Sequence, residues 1–179
     1  MHKLSDKETN KRLIEEYPFL QPRDIWTDEI PKDYDYEYTL LDELDVGWRK
    51  AFGEVLLKEL KEILVRGNCL DTYRVDQIKE KYSTLRWYDH GYGEDVADEI
   101  YKLLSKYEDL SAFVCIDCGK PATQVTQDYI CPYCDDCATK HNHSKEKLPS
   151  PQECHQKWLA KEESNDVKAL YKKLFGIEL

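Results

Sequence analysis

The chain has 179 residues, 41% of them hydrophobic and 35% charged, enough to bury one modest core beneath a densely charged surface. The formal net charge is −10, from 36 acidic and 26 basic side chains, and no segment is basic. This balance argues against a protein whose main task is gripping phosphates with Lys and Arg, and it suits either simple solubility or a basic patch on a partner protein.

In chain order, Ser5-x-x-Glu8 reads as a capping box that opens a short helix carrying Leu13, Ile14 and Tyr17 on one side, ended by Pro18 and Pro22. Tyr34, Tyr36 and Tyr38 then alternate with acidic residues, as in a short strand or an extended loop. Thirteen tyrosines against four phenylalanines supply rings that bury area while a polar tip stays wet, in a core or at an interface. Trp48, Ala51, Phe52, Val55, Leu56, Leu60, Ile63 and Leu64 recur at helical spacing, so a central helix is expected over 47–66, stopped by Gly67-Asn68. Tyr73–Tyr82 and Leu85–Tyr88 flank a polar break at Ser83-Thr84 and read as a β-hairpin. After the turn Asp89–Gly93, a helix over 94–108 presents Val96, Ile100, Leu103, Leu104 and Tyr107 inward. Following a linker, Ser150, Pro151 and Glu153 form a helix start, and a last helix over 165–175 carries Val167, Leu170, Tyr171 and Leu174 and ends at Gly176.

Between these helices lie two CxxC pairs, Cys115-x2-Cys118 and Cys134-x2-Cys137. Each CxxC turn aims two sulfurs at one point, and two such turns close a tetrahedron of the kind that binds structural Zn²⁺. Cys131 makes the second half ambiguous, because Cys131-x2-Cys134 is an overlapping pair. Tyr129-Ile130 reads as a strand end that Pro132 interrupts, while Cys137-Ala138-Thr139-Lys140 can begin a helical turn; both signals favour Cys134 and Cys137. His141 and His143 are further candidate ligands, although four sulfurs suffice and loop histidines are ordinarily solvated. The rival reading, disulfides, needs an oxidising compartment. The opening MHKLSDKETNKR lacks the apolar core of a signal peptide, no run of roughly 18 apolar residues suggests a membrane span, and seven cysteines are an odd number. A reduced, cytoplasmic setting is therefore expected, with Cys69 and Cys154 as bystander thiols.

The run QIKEKYSTLRWYDHGYGEDVADEIYKLLSKYEDLSAFVCIDCGKPATQVTQDYICPYCDDC, from Gln77 to Cys137, together with YPFLQPRDIWTDEIPKDYDYEYTLLDELDVGWRKAFGE, from Tyr17 to Glu54, resembles a group of uncharacterised small proteins of bacteriophages and prophages. In that group a hairpin precedes a helix and a C-x2-CGKPAT…PYC-x2-C ribbon. Ser83-Thr84 stands here where the group has a glycine-containing break. The resemblance implies a phage origin, an intracellular setting and Cys134 and Cys137 as the second ligand pair; it implies no reaction.

Catalytic constellations are scarce. There is no P-loop, GxSxG or HExxH, and ICPYCDDC follows no His-x-Glu element of the kind a deaminase needs. His90, beside Asp89 and near Arg86 and Glu94, is the one candidate for a polar site, and a lone histidine in an acidic turn is more often structural. The expected molecule is an α+β protein: a helical body with a β-hairpin over 1–110, a zinc ribbon over 111–145 and a helical C-terminal tail over 146–179. The expected function is binding to a host protein as inhibitor or modulator, of a defence system or of nucleic-acid machinery. The alternatives are a nucleic-acid-binding regulator using Arg74, Lys79, Lys81, Arg86 and Trp87, and a metal-dependent nuclease using His90.

Overall fold

In the computed structural model, which describes residues 6–24, 26–126, 130–141 and 148–179, the chain opens with helix α1 (Lys7–Glu16). Its cap is Asp6, whose carboxylate accepts the Thr9 amide at 2.8 Å; Ser5 of the expected capping box lies outside the described residues. Pro18 starts a 3₁₀ turn (Pro18–Leu20) that buries Phe19 and Leu20 beside Tyr17. The tyrosine-rich segment is a loop rather than a strand. Tyr34 packs on Tyr36 and Tyr38 at centroid distances of 5.2 and 5.7 Å, and the Asn10 side-chain amide donates to the Tyr36 carbonyl at 2.9 Å.

The central helix occupies nearly the expected span but is not uniform. It comprises α2 (Val46–Trp48), a π-helical turn (Arg49–Gly53) and α3 (Glu54–Arg66). The largest buried residues, Trp48, Phe52, Leu56, Leu60 and Leu64, recur every fourth position. Along an unbroken α-helix that spacing would rotate the stripe by about 40° per step, and the wider π turn takes up part of that drift. A hairpin follows: β1 (Arg74–Lys81) pairs antiparallel with β2 (Thr84–His90). The turn residues are Tyr82 and Ser83, with φ of 54° and 74°, and Thr84 already pairs with Lys81. The expected break at Ser83-Thr84 is thus displaced by one residue. A two-residue turn with both φ values positive matches the twist of the strands, and the Glu80 carboxylate accepts the Ser83 amide at 2.7 Å. An irregularity between Val75 and Gln77 lets Val75 and Ile78, three apart, both face inward.

Helix α4 (Glu94–Ser111) buries Val96, Ile100, Leu103, Tyr107 and Leu110 against α3 and the hairpin. Its last residue anchors the sheet: the Ser111 hydroxyl accepts the Leu85 amide at 2.7 Å and donates to the Glu108 carbonyl. The cysteine-rich segment holds β3 (Gln124–Val125), β4 (Pro132–Tyr133) and α5 (Asp135–Lys140). Pro132 does not break the ladder. It opens β4, opposite Val125, where a missing N–H is tolerated. The tail contributes α6 (Pro151–Cys154), with the expected Ser150–Glu153 capping box, then α7 (Gln156–Leu159) and α8 (Asn165–Phe175), closed by Gly176 at φ 71°. Trp158 and His155 of the tail pack on Phe113, and α8 lies against α4. Among the described residues the architecture is therefore mixed: helices with two small antiparallel two-stranded sheets. One continuous apolar cluster includes Leu60 of the body, Cys115 and Tyr133 of the cysteine-rich segment and Tyr171 of the tail. Among the described residues no helix is long and apolar enough to cross a membrane.

Candidate metal centre

The four cysteines of the two CxxC pairs converge. One sulfur from each of Cys115, Cys118, Cys134 and Cys137 lies within 4.8 Å of the other three, and the Cys118 and Cys134 sulfurs are 3.6 Å apart. A tetrahedral thiolate site with metal–sulfur bonds of about 2.3 Å has edges of about 3.8 Å, so the donor set fits a single metal ion. Cys115, Cys134 and Cys137 are buried and Cys118 is partly exposed.

Local geometry explains the convergence. Cys115 and Cys118 sit on a tight loop in which the Gly119 amide donates to the Cys115 carbonyl at 3.0 Å and the Cys115 amide to the Lys120 carbonyl at 2.8 Å. Gly119 has φ 79°, a left-handed conformation that glycine adopts without penalty. On the other side Cys134 is the N-cap of α5, which places Cys137 one turn later on the inner face. Electrostatics divide the sulfurs. Burial pushes the Cys115 thiol up to about 11, against the pull of amides including Cys134, Cys118 and Asp117. Burial, followed by hydrogen bonds with Cys118 and Cys134, raises Cys137 as well. Burial also opposes ionisation of Cys118, but the Lys120 amide and the neighbouring thiols outweigh it and lower its pKa. A cation at the centre would favour the thiolate at every position.

Cys131 stays outside the group. It is buried, with its amide donating to the Thr126 hydroxyl at 2.9 Å. Burial and the nearby carboxylates of Glu80, Asp45 and Asp117 push its thiol up to about 12. Position excludes it as a ligand, since its sulfur is not among the four that converge. His141 is also elsewhere: its Nε2 lies 2.6 Å from Asp117 Oδ2 and its ring packs 5.1 Å from Tyr133. His143 lies outside the described residues.

The metal loop is pressed against the start of the central helix. The Gly47 amide donates to the Ile116 carbonyl at 2.7 Å, and the buried Trp48 indole Nε1 donates to the Val114 carbonyl at 3.0 Å. A Cβ on Gly47 would fall 2.1 Å from the Cys115 carbonyl oxygen, and one on Gly119 would fall 2.5 Å from the Gly47 carbonyl oxygen. Two glycines therefore allow backbone to meet backbone. Gly47 was not singled out from the sequence, although glycine is the residue that lets a second backbone approach this closely.

The remaining candidates are dispersed. Asp89 and His90 adjoin on β2 and so project to opposite faces. Asp89 lies half-buried, accepting from Tyr73 at 2.5 Å and more weakly from Tyr92 at 3.4 Å, and burial raises its pKa. His90 turns outward, its Nδ1 2.9 Å from Asp76. Arg86 is held by Glu108, and Glu94 starts α4, so the four residues do not form one polar site. In the basic cluster, Arg74 is bound to Asp28 at 3.0 Å and Lys79 and Lys81 lie over the rings of Tyr88 and Tyr82. Trp87 donates its indole N–H inward to the Tyr73 hydroxyl at 3.0 Å. Compared with known proteins, the chain matches no family model, no curated protein and no solved structure.

Proposed function

We propose that the chain is a phage-encoded interaction protein that binds a host protein as inhibitor or modulator, and that its cysteine centre holds a structural Zn²⁺. The observation that carries this reading is closure of the sulfur group. Four sulfurs complete a tetrahedron, so the ion has no open position for substrate and its role is to hold the fold. Four thiolates in that arrangement suit zinc among the common divalent ions. Function then falls to the surface, which is acidic and displays large rings: Trp26 and Tyr82 are 91% and 71% exposed. A negative surface with aromatic anchors suits a basic protein face. The phage origin is supported by the sequence resemblance, and a host defence or nucleic-acid-handling protein is the target class that the charge suits. The nucleic-acid reading draws less support, because Arg74 and Arg86 are already engaged by carboxylates.

Two measurements test the proposal. Elemental analysis of protein purified under reducing conditions should return one zinc per chain. Affinity capture from host cells should return a partner in stoichiometric amount. Metal-free yet folded protein would remove the structural part, and the absence of any partner would remove the functional part.

A further inference from the structure

Among the described residues the most exposed large apolar side chain is Trp26, at 91%. It sits on the loop between the first helix and the body, and that loop is tied down. Asp24 Oδ1 accepts the amides of Trp26 and Thr27, both at 2.9 Å. The Asp24 amide donates to the Glu29 carbonyl and the Asp28 amide to the Asp24 carbonyl, again at 2.9 Å. The loop is fastened to the hairpin where Arg74 of β1 grips the Asp28 carboxylate at 3.0 and 3.2 Å, and Arg23 donates to the Asp28 carbonyl at 2.7 Å. Asp28 is held at φ 56°, a conformation that the closed loop requires. Anchoring of the backbone at Asp24 and Asp28 lowers the ordering cost that binding would otherwise impose on an indole held in water. Tryptophan is also the residue most enriched among the anchors that dominate protein interfaces.

The surroundings say what kind of surface would receive it. Between residues 24 and 45 the chain carries nine carboxylates and a single cationic side chain, Lys32. Asp28 is paired with Arg74 and Arg23, Asp35 and Glu37 with Lys7, and Asp42 with Arg49, which leaves Asp24, Glu29 and Asp33 as the acidic groups beside the indole. Glu29 and Asp33 are exposed, and Ile30 at the base of the loop is half exposed. The exposed carboxylates of Glu29 and Asp33 favour a cationic rim over a phosphate or anionic lipid surface.

We infer that the Trp26 loop is the docking element of this protein, inserting its indole into an apolar pocket rimmed by Lys and Arg on a partner protein. This rests on the interaction reading above and locates it. The test is capture from host lysate on the immobilised full-length protein in four forms: unaltered, Trp26→Ala, Tyr101→Ala, and the double variant Glu29→Lys/Asp33→Lys. All four are checked for native circular dichroism and metal content. The expected result is one stoichiometric partner retained by the unaltered and Tyr101→Ala forms. Its retention falls at least tenfold for Trp26→Ala, and its association slows for the charge-reversed form. Carbodiimide should cross-link Glu29 or Asp33 to the partner's lysines. Equal retention by Trp26→Ala overturns this inference while leaving the interaction function standing. Capture of nothing by any form overturns both. Trp26-dependent binding to phosphatidylcholine vesicles without a protein partner would make the residue a membrane anchor and overturn the inference in that way.

Discussion

The helical body and the cysteine-rich segment are held by different forces. The body has a continuous stripe from Trp48 to Leu64 facing Ile100, Tyr107 and Leu110, so burial of apolar area stabilises it in the ordinary way. The cysteine-rich segment has two strands of two residues each and one short helix, too little regular structure to persist alone. What it has instead is four converging sulfurs and a backbone seam to Gly47 and Trp48. The contrast shows how a segment with little regular structure can be placed: its sulfurs are spaced to share one metal ion, and its seam with the body fixes its orientation.

The largest perturbation expected is loss of the proposed zinc site. Cys118→Ser should abolish metal binding and expose the amides of residues 115–141 to hydrogen exchange, while those of α3 and α4 stay protected. Binding energies for structural zinc in small peptides are about 10–16 kcal/mol, so the segment should open completely. Cys131→Ala should leave metal content unchanged. If it also releases the ion, the assignment of the fourth sulfur is wrong. Next comes the seam. Gly47→Ala drives a methyl into the Cys115 carbonyl and should cost about 2–4 kcal/mol in denaturant unfolding. Gly53→Ala, whose Cβ would meet only side-chain atoms at 3.5 Å or beyond, should be neutral or stabilising by up to about 1 kcal/mol. Equal effects would mean that the seam carries no strain.

Within the body, Ser111→Ala removes the acceptor of the buried Leu85 amide and should cost about 1–3 kcal/mol, read as a lower denaturant midpoint with the metal retained. The smallest effect concerns Asp45, half-buried between the two regions. Burial, then the charges of Glu80 and Asp117, push its carboxyl up to about 6 from 3.8. The folded protein therefore binds this proton more tightly than the unfolded chain. Its contribution to stability falls as pH rises from about 4 to about 6, and the full penalty is present above that. Asp45→Asn should be more stable than the unaltered protein above pH 6 by about 1 kcal/mol, a figure reduced for solvent screening. The two stability curves should converge below pH 4; parallel curves would place the carboxyl in ordinary solvent.

Much of this was legible in the residues, because the signals are local. Periodicity fixed α3, α4 and α8 to within a few residues, since i, i+4 spacing translates directly into one helical face. The Ser150–Glu153 cap involves atoms three residues apart and is present as read. The two CxxC turns likewise announced themselves, since each places its own sulfurs. Less legible was the hairpin turn, where Tyr82 and Ser83 both adopt positive φ without glycine and the pattern placed the break one position late. Pro132 misled in the same way, because its place at the start of β4 depends on a partner strand seven residues away.

What the chain alone determined, then, are features encoded within a few bonds of one another: the helices, the existence of a hairpin and two sulfur-bearing turns. Only the tertiary structure decided which sulfurs meet, leaving the buried Cys131 outside the group. It also separated Asp89 from His90 across a strand, turned Arg74 and Arg86 onto carboxylates, and brought Gly47 against the metal loop across 68 positions of sequence from Cys115. The physical reason is that such contacts depend on long loops closing. A spacing rule written over four or seven residues carries no information about that closure.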